Sequence, residues 1–282
     1  MNHFFQERIQ RKHSHLTRSQ MALAQYILRH SEEVPFLSSA KLARKIGRSD
    51  ATVTRFCFAL GYAGYAELQK DLQKWVQMRL APSERLKKTS RRAGADLCLD
   101  IFNRDVQNLK ETSANLRPEQ MGEVIRHLNR AQRIFVIGVR SSFGLAALAH
   151  SHFSAIRGGL VLVESARGMM ADLVIDLGPK DALLAISFPR YARETLKVAQ
   201  YAKGRSCPVI AITDSILSPL ARVSDFILQT KINGLGFINS YTSAVTTINC
   251  LSAGLSMVNA GRSIRNLKAL EDQLQKWEIW AA

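Results

Sequence analysis

A polar stretch that follows a short apolar run carries side chains suited to a negatively charged ligand. Gly138 ends the apolar run and allows close approach of the backbone, while Arg140 adds a fixed positive charge. Ser141 and Ser142 place two hydroxyls directly before a stretch of helical periodicity, whose first amides can bind an anion. The stretch is therefore a candidate phosphate site, although two serines in this position also serve simply as helix caps.

A second stretch of the same kind follows another apolar run. It offers two hydroxyl groups, Ser187 and Thr195, together with Arg190 and Tyr191, and again it precedes a predicted helix. Two such stretches in one chain favour the ligand-binding interpretation over simple helix capping. We expect these eight positions to include the effector site: Gly138, Arg140, Ser141, Ser142, Ser187, Arg190, Tyr191 and Thr195.

The pattern of apolar residues predicts the strands and helices that flank these two stretches. Continuous apolar runs, typical of strands buried on both faces, lie at residues 134–138, 160–163, 183–186, 208–213 and 225–228. Helical stretches separate most of them. This alternation predicts an α/β three-layer sandwich, a parallel sheet with helices on both faces. Ligands of such sheets bind at the carboxyl ends of strands, where both polar stretches lie.

The sequence offers little for catalysis. Gly138 is not followed by the further glycines of a dinucleotide-binding turn, and no Walker-type loop or metal-ligand spacing occurs. Glu164 and His152 are the candidate acid or base groups for catalysis, but no group that would orient them is evident. We therefore expect no cofactor, no metal and no enzymatic activity.

Residues 39–60 predict a different kind of site, two short helices joined by a tight turn. Gly47 favours the left-handed conformation that ends the first helix, and Ser49 can cap the second by accepting a hydrogen bond from a backbone amide. Ala43, Gly47 and Val53 have the spacing of a helix-turn-helix motif. The second helix of such a motif enters the major groove of DNA.

One face of this second helix is polar, and the other is expected to be core. We expect DNA contacts from its exposed residues, which are Ser49, Asp50, Thr52, Thr54 and Arg55. Arg55 is the best candidate for a base contact. The basic residues that either contact phosphates or form a solvated surface are Lys41, Arg44, Lys45 and Arg48. One recognition helix reads too few bases, and half-sites lie about 34 Å apart, so we expect a dimer.

The composition agrees with a polyanionic partner. The chain has 39 Lys and Arg against 23 Asp and Glu, a formal net charge of +16, and the excess is densest in the first 80 residues. Its four cysteines are scattered, which fits a reducing compartment. The sequence contains neither a run of about 18 apolar residues nor a signal-like start. We expect a soluble, cytoplasmic protein without membrane contact.

Three segments follow from these patterns. Residues 1–80 predict an all-α helix-turn-helix domain, in which Thr17 and Gln20 form a capping box at the start of a helix. Residues 81–117 comprise a linker, rich in Pro, Gly, Ser and basic residues up to residue 95, and a connecting helix. That helix is expected to bury Leu97, Ile101, Val106 and Leu109, either on the sheet domain or on a second subunit. Residues 118–282 form the sheet domain.

Taken together, both halves of the chain resemble the RpiR family of bacterial transcription regulators. The N-terminal match rests on Leu42-Ala43, Ser49, Thr52-Val53-Thr54-Arg55-Phe56, Leu60-Gly61-Tyr62, Gly64-Tyr65 and Leu68. The C-terminal match rests on Gly138 with Ser142, Ser187 with Thr195, and Ala211-Ile212-Thr213-Asp214-Ser215 to Pro219-Leu220. The resemblance implies a helix-turn-helix domain followed by a sugar isomerase (SIS) domain.

The resemblance also implies a function. A phosphorylated sugar or related metabolite bound in the SIS-like domain is expected to alter affinity for a double-stranded DNA operator. The alternative is a phosphosugar isomerase-type enzyme with an appended DNA-binding module, for which Glu164 and His152 would be the acid or base groups. The sequence departs from the family pattern at Arg140, which stands where a second glycine is usual, and at Arg190 and Tyr191, which are inserted in the second motif. Phe58 stands where the recognition helix often carries a polar or basic residue, and the sequence gives it no role.

Overall fold

The computed structural model describes residues 5–12, 15–30, 33–79, 82–89, 96–164, 169–216 and 218–280. Contacts along the backbone divide the chain into two compact units, Met1–Ser90 and Arg91–Ala282. The first unit contains the helix-turn-helix region, and the second contains the sheet. Among the described helices, none is both long enough and apolar enough to cross a membrane.

The described residues of the first unit form six α-helices and a short 3₁₀ helix at Val34–Phe36. The α-helices are α1 (Phe5–Lys12), α2 (Arg18–Arg29), α3 (Ser39–Lys45), α4 (Asp50–Ala59), α5 (Tyr65–Arg79) and α6 (Pro82–Thr89). Thr17 and Gln20 form the predicted capping box, in which each side chain accepts a hydrogen bond from the other residue's amide. Helix α6 lies within the stretch expected to be a linker, of which residues 81 and 90–95 lie outside the described residues.

Helix α1 is not among the predicted elements, yet it completes the core of the first unit. Phe5 and Ile9 are buried, and the ring of Phe5 meets that of Phe56 edge to face, with 6.2 Å between ring centres. Arg8 donates to the Gly61 carbonyl at 2.5 Å, just beyond the end of α4. The sequence pattern that indicates this helix is weak, because it consists of two apolar side chains one turn apart, Phe5 and Ile9.

The second unit is an α/β structure. Its strands are β1 (Ile134–Gly138), β2 (Leu160–Val163), β3 (Ala182–Ile186), β4 (Val209–Thr213) and β5 (Phe226–Gln229). Its helices are α7 (Asp96–Asn115), α8 (Pro118–Arg130), α9 (Phe143–Ile156), α10 (Met170–Val174), α11 (Arg193–Gly204), α12 (Thr242–Val258) and α13 (Ala260–Lys276). Short 3₁₀ helices lie at Arg140–Ser142 and Ala221–Val223.

The five strands form one parallel sheet in the order β2-β1-β3-β4-β5. Side chains of α8, α9 and α12 pack on one face, and those of α10 and α11 pack on the other. This arrangement confirms the predicted α/β three-layer sandwich. The chain runs from β1 outward to β2 and then returns to the other side of β1 for β3, so the sheet has a topological switch point between β1 and β3.

The apolar face of α7, predicted to pack on the next domain or on a second subunit, is only partly covered within this chain, where Leu97 and Leu109 are half-buried. Ile101 and Val106 are exposed, whereas Asn108 and Thr112 are buried. The cause is a long-range contact: these two polar side chains hydrogen bond to the backbone of residues 231–233. Because that partner lies more than 100 residues away in sequence, the local apolar pattern carried no sign of it.

Candidate functional site

The turn between α3 and α4 has the geometry that the sequence predicts. Gly47 adopts a left-handed conformation, with φ of 63°. The amide of Arg48 donates to the Ala43 carbonyl at 2.9 Å, and the amide of Gly47 donates to the Arg44 carbonyl at 3.1 Å. These bonds satisfy the last carbonyls of α3 and fix the direction in which the chain enters α4.

Helix α4 has one buried and one exposed face. Val53, Phe56 and Cys57 are fully buried, and burial raises the pKa of the Cys57 thiol to about 12, which leaves it unreactive. Arg55 is exposed on the opposite side, and no ion pair of its guanidinium occurs within the described residues. The side chain of Phe58 is 57% exposed on the same side.

The first turn of α4 differs in detail from the prediction. Ser49 stands at the cap position, but its hydroxyl makes no capping bond to an amide and lies 3.0 Å from the Thr52 hydroxyl instead. Asp50 accepts a hydrogen bond from Ser39 at the start of α3. Thr52 and Thr54 are half-buried. The Asp50 bond joins the starts of α3 and α4, and Ser49 pairs with Thr52, so three of the four polar residues before Arg55 have partners within the motif. Arg55 is exposed and has no such partner among the described residues.

The basic residues around α3 fall into two groups. Lys41, Arg44 and Arg48 are exposed. Lys45 pairs with Glu33 at 2.5 Å, and its hydrogen bond to that carboxylate raises the pKa of Lys45 above its ordinary value. All four candidate phosphate contacts are thus accessible, while the charge of Lys45 is partly neutralised by Glu33.

The two polar stretches lie at the topological switch point of the second unit. Gly138 pairs with Ile186, so the segments after β1 and β3 leave adjacent strands at one edge of the sheet. A Cβ atom on Gly138 would lie 2.4 Å from the Ser142 carbonyl oxygen, so only glycine allows the turn that brings the serines back over the strand. Crevices of this kind bind the ligands of open α/β sheets.

Both arginines of these stretches have unusual backbones. Arg140 has φ of 56° and Arg190 has φ of 68°, the left-handed region that glycine adopts at no steric cost. Both side chains are exposed. Such conformations cost of order 1–3 kcal/mol in a residue with a side chain, and proteins keep them mainly at functional sites.

The hydroxyl-bearing residues lie deeper. Ser142 and Ser187 are buried, and Thr195, in the first turn of α11, is completely buried, with no hydrogen-bond partner for its Oγ1 among the residues that the structure describes. Ser141 is exposed, and its hydroxyl lies 2.8 Å from the Tyr241 hydroxyl. The structure thus places all eight predicted effector residues on the segments that follow β1 and β3.

Two further residues at this end of the sheet escaped the prediction of the site. Asp214 directly follows β4 and accepts a hydrogen bond from the Tyr191 hydroxyl at 2.9 Å. Tyr241 directly precedes α12, and its ring packs 5.4 Å from that of Phe188. Asp214 could have been predicted as a site residue, because it directly follows a predicted strand. Tyr241 could not, because its contacts with Ser141 and Phe188 depend on the order of the strands in the sheet.

Burial has the largest effect on the pKa of the Asp214 carboxyl. It raises the pKa of this carboxyl to about 6, against the opposing effects of the hydrogen bonds from Tyr191 and Thr213 and of the positive charge of Lys231. The carboxylate is therefore held in place by Tyr191, and it ties the arginine-bearing segment after β3 to the end of β4.

We expect Asp214→Asn to reduce the pH dependence of stability in acid. Between the ordinary pKa of 3.8 and the folded value of about 6, the native protein binds the proton more tightly than the unfolded chain, so stability falls as pH rises through this window. The free energy of unfolding falls by roughly 2–3 kcal/mol for one carboxyl, and the neutral amide of the variant does not titrate and so does not contribute this fall. Thermal unfolding of both proteins from pH 4 to pH 7 measures the effect; an equal slope in the variant contradicts it.

Of the two groups considered for catalysis, Glu164 lies at the same edge of the sheet as the candidate site, because Val163 pairs with Ile137 of β1. Glu164 is exposed after β2. The Nδ1 atom of His152 lies 3.3 Å from the Ser252 hydroxyl, between α9 and α12. Within the described ranges, no group of three His, Cys, Asp or Glu side chains could hold a metal ion.

Comparison with known proteins identifies both units. Residues 4–79 match the helix-turn-helix domain of the rpiR family, and residues 127–253 match the SIS domain. The chain belongs to the RpiR family. The SIS match includes the segments after β1, β3 and β4, so the candidate effector residues of this RpiR-family protein lie within it.

Relatives of this RpiR-family protein are transcriptional regulators, and it is one as well. An uncharacterized HTH-type transcriptional regulator of Haemophilus influenzae is 29% identical over 217 residues, which cover 76% of this chain and 75% of that protein. The HTH-type transcriptional regulator HexR of Pseudomonas aeruginosa is 26% identical over 231 residues, covering 79% and 77%.

Solved structures confirm the fold. The sugar isomerase domain of an RpiR transcription factor from Sphaerobacter thermophilus aligns with a TM-score of 0.60 at 24% identity, covering 62% of this chain and 98% of that one. The Vibrio vulnificus NanR protein complexed with ManNAc-6P aligns with a TM-score of 0.62 at 21% identity, covering 98% and 100%.

Proposed function

We propose that this regulator binds a specific DNA duplex through α4, and that an anionic metabolite bound after β1 and β3 changes its DNA affinity. One observation supports the proposal most strongly. Arg140 and Arg190 have left-handed backbone conformations on the same two segments as buried hydroxyl-bearing residues, at the topological switch point. Vibrio vulnificus NanR, which shares the fold, is complexed with ManNAc-6P, so phosphorylated sugars are the first class of metabolite to test.

Each residue of the effector site has a role in this proposal. Ser142, Ser187 and Thr195 donate hydroxyl hydrogens to a phosphate group, since the Thr195 hydroxyl is buried without another partner among the described residues. Arg140 and Arg190 supply positive charge from the exposed side. Gly138 permits the turn between strand and helix, while Ser141 and Tyr191 anchor the two segments through Tyr241 and Asp214.

The DNA contacts follow from the two faces of the motif. Arg55 contacts a base edge, with Thr54 beside it, while Ser49, Asp50 and Thr52 position the start of α4. Lys41, Arg44 and Arg48 contact phosphates, and Lys45 contributes less because it is paired with Glu33. The protein acts as a homodimer, since two recognition helices are needed to read half-sites about one helical turn apart. Binding to chromosomal DNA fits the cytoplasmic location that the sequence predicts.

Phe58 belongs to the same interface in this proposal. Its exposed ring lies one turn beyond Arg55, and aromatic side chains contact the methyl group of thymine in the major groove. We expect replacement of thymine by uracil in the bound duplex to weaken wild-type binding by about tenfold, since two half-sites each lose a methyl contact of about 0.8 kcal/mol. Phe58→Ala should bind both duplexes equally well.

The matched control for this prediction is Phe36→Ala, which changes a phenylalanine of similar exposure outside α4. The control should keep the wild-type sensitivity to uracil. Equal sensitivity of wild type and Phe58→Ala would show that Phe58 does not contact thymine.

Two measurements on the full chain test the proposal. Selection from random duplexes should yield a palindromic site, and a thermal-shift screen of ManNAc-6P and other sugar phosphates should find a ligand that raises the melting temperature with concentration. Failure of the duplex selection rejects the proposed DNA binding, and failure of the ligand screen rejects the proposed metabolite binding. Turnover of a sugar phosphate at ordinary enzyme rates would instead support the isomerase alternative.

A further inference from the structure

Helix α7 buries a polar face and exposes an apolar one. Asp105, Asn108 and Thr112 stand at i, i+3 and i+7, so they share one side of the helix. Asn108 and Thr112 are buried, whereas Phe102 and Val106 are exposed. Specific hydrogen bonds therefore hold the polar face of α7 against the rest of the second unit.

All three polar side chains bind one segment, residues 230–242, which we call the β5–α12 segment. The Asn108 amide donates to the Asn233 carbonyl at 2.9 Å and accepts from the Asn233 amide at 3.2 Å. Thr112 accepts from the Lys231 amide at 2.9 Å. The Asp105 carboxylate accepts from the Thr242 hydroxyl, the first residue of α12, at 2.7 Å.

The other side of the β5–α12 segment contacts the candidate effector site. The Thr230 amide donates to the Thr213 carbonyl at 2.9 Å, beside Asp214. At the far end of the segment, the Tyr241 hydroxyl lies 2.8 Å from that of Ser141. The Tyr241 ring packs on Phe188, after β3. The segment therefore touches the ends of three strands on one side and α7 on the other.

Helix α7 is also the first helix of the second unit. The chain passes from the DNA-binding unit through residues 90–95 directly into α7. A change in the contacts between the β5–α12 segment and α7 therefore acts close to the point where the chain enters the second unit.

We infer that the β5–α12 segment couples the effector site to the DNA-binding unit, with Asn108 and Thr112 as positioning residues that lock α7 to it. The inference rests on the proposed function. A ligand at the strand ends alters the contacts of Tyr241, and the segment transmits this change to α7. Because coupling between two binding sites is reciprocal, DNA bound to the first unit must alter the same segment in the absence of any effector.

Hydrogen exchange on the full chain tests this coupling with the selected duplex as the only ligand. In the wild type, the duplex should change exchange at the Lys231 and Asn233 amides, and at residues 138–142, by about fivefold or more. In Thr112→Val, which keeps the shape of the side chain and loses one acceptor, and in Asn108→Ala, these changes should shrink or disappear while duplex affinity stays within about twofold.

Ser113→Ala, an exposed position on the same helix, is the matched control and should exchange like the wild type. A wild type that binds the duplex without any change in the β5–α12 segment overturns the coupling, even if both variants fail to fold. Equal changes in wild type and folded variants overturn the roles of Asn108 and Thr112. Absence of any duplex binding rejects the proposed function itself.

Discussion

Arg55→Ala is expected to abolish sequence-specific DNA binding while leaving the fold and effector binding intact. The guanidinium is exposed on α4, opposite the buried Val53 and Phe56, and no ion pair within the described residues neutralises it. A good bidentate base contact contributes about 1–3 kcal/mol of discrimination, and a dimer loses two of them. The affinity for the selected duplex should therefore fall by at least about 30-fold in a binding titration, with little change for random DNA.

Arg55→Lys is the informative companion of this variant. Lysine keeps the charge but lacks the planar pair of donors, so random-duplex affinity and its salt dependence should stay near wild type while the specific duplex loses its advantage. Unchanged affinity of Arg55→Ala for the selected duplex would remove α4 from the DNA interface.

The double variant Ser142→Ala, Ser187→Ala is expected to lose the response to a sugar phosphate. Both side chains are buried at the ends of the adjacent strands β1 and β3, where the proposed phosphate lies. A hydrogen bond to a charged group contributes about 1.5–3 kcal/mol, so two lost bonds weaken ligand binding by about 100-fold or more. The thermal shift produced by the ligand should vanish at concentrations that saturate the wild type.

Duplex binding by this double variant without ligand should equal that of the wild type, because the serines lie in the other unit. Ser154→Ala, an exposed position near the far end of α9, should respond to ligand normally. A double variant that still binds and responds fully would place the ligand elsewhere in the chain.

Much of the fold was predictable because its three central strands, β1, β3 and β4, are buried on both faces. All five strands lie within one or two residues of the apolar runs, and the runs are continuous because a central parallel strand presents both sides to core. The helix-turn-helix was predictable for a different reason: the left-handed turn at Gly47 and the small residue at Ala43 are requirements of local geometry.

Helices α1 and α7 differ from the prediction because of long-range contacts, whereas Ser49 differs because of a local one. Helix α1 is short and gains its place through Phe5 against Phe56, more than 50 residues later. The orientation of α7 depends on the Asn108 bond to Asn233. The hydroxyl of Ser49 takes a side-chain partner in place of the amide that a capping pattern implies.

The candidate effector site was predictable in outline only. Residue types at two strand ends pointed to an anion, and the structure places both stretches on adjacent strands. The left-handed backbones of Arg140 and Arg190 and the buried Tyr191–Asp214 bond could not be read from sequence, because both depend on how the segments close over the sheet.

The central claim is that ligand and DNA affect each other's binding, and one titration tests it most directly. The affinity of the full chain for its selected duplex is measured with and without the sugar phosphate that stabilises the protein in the thermal-shift screen. We predict a change of about fivefold or more, with an equal change in ligand affinity when the duplex is present. Ligand and duplex that both bind tightly, each with no effect on the affinity for the other, would contradict the account.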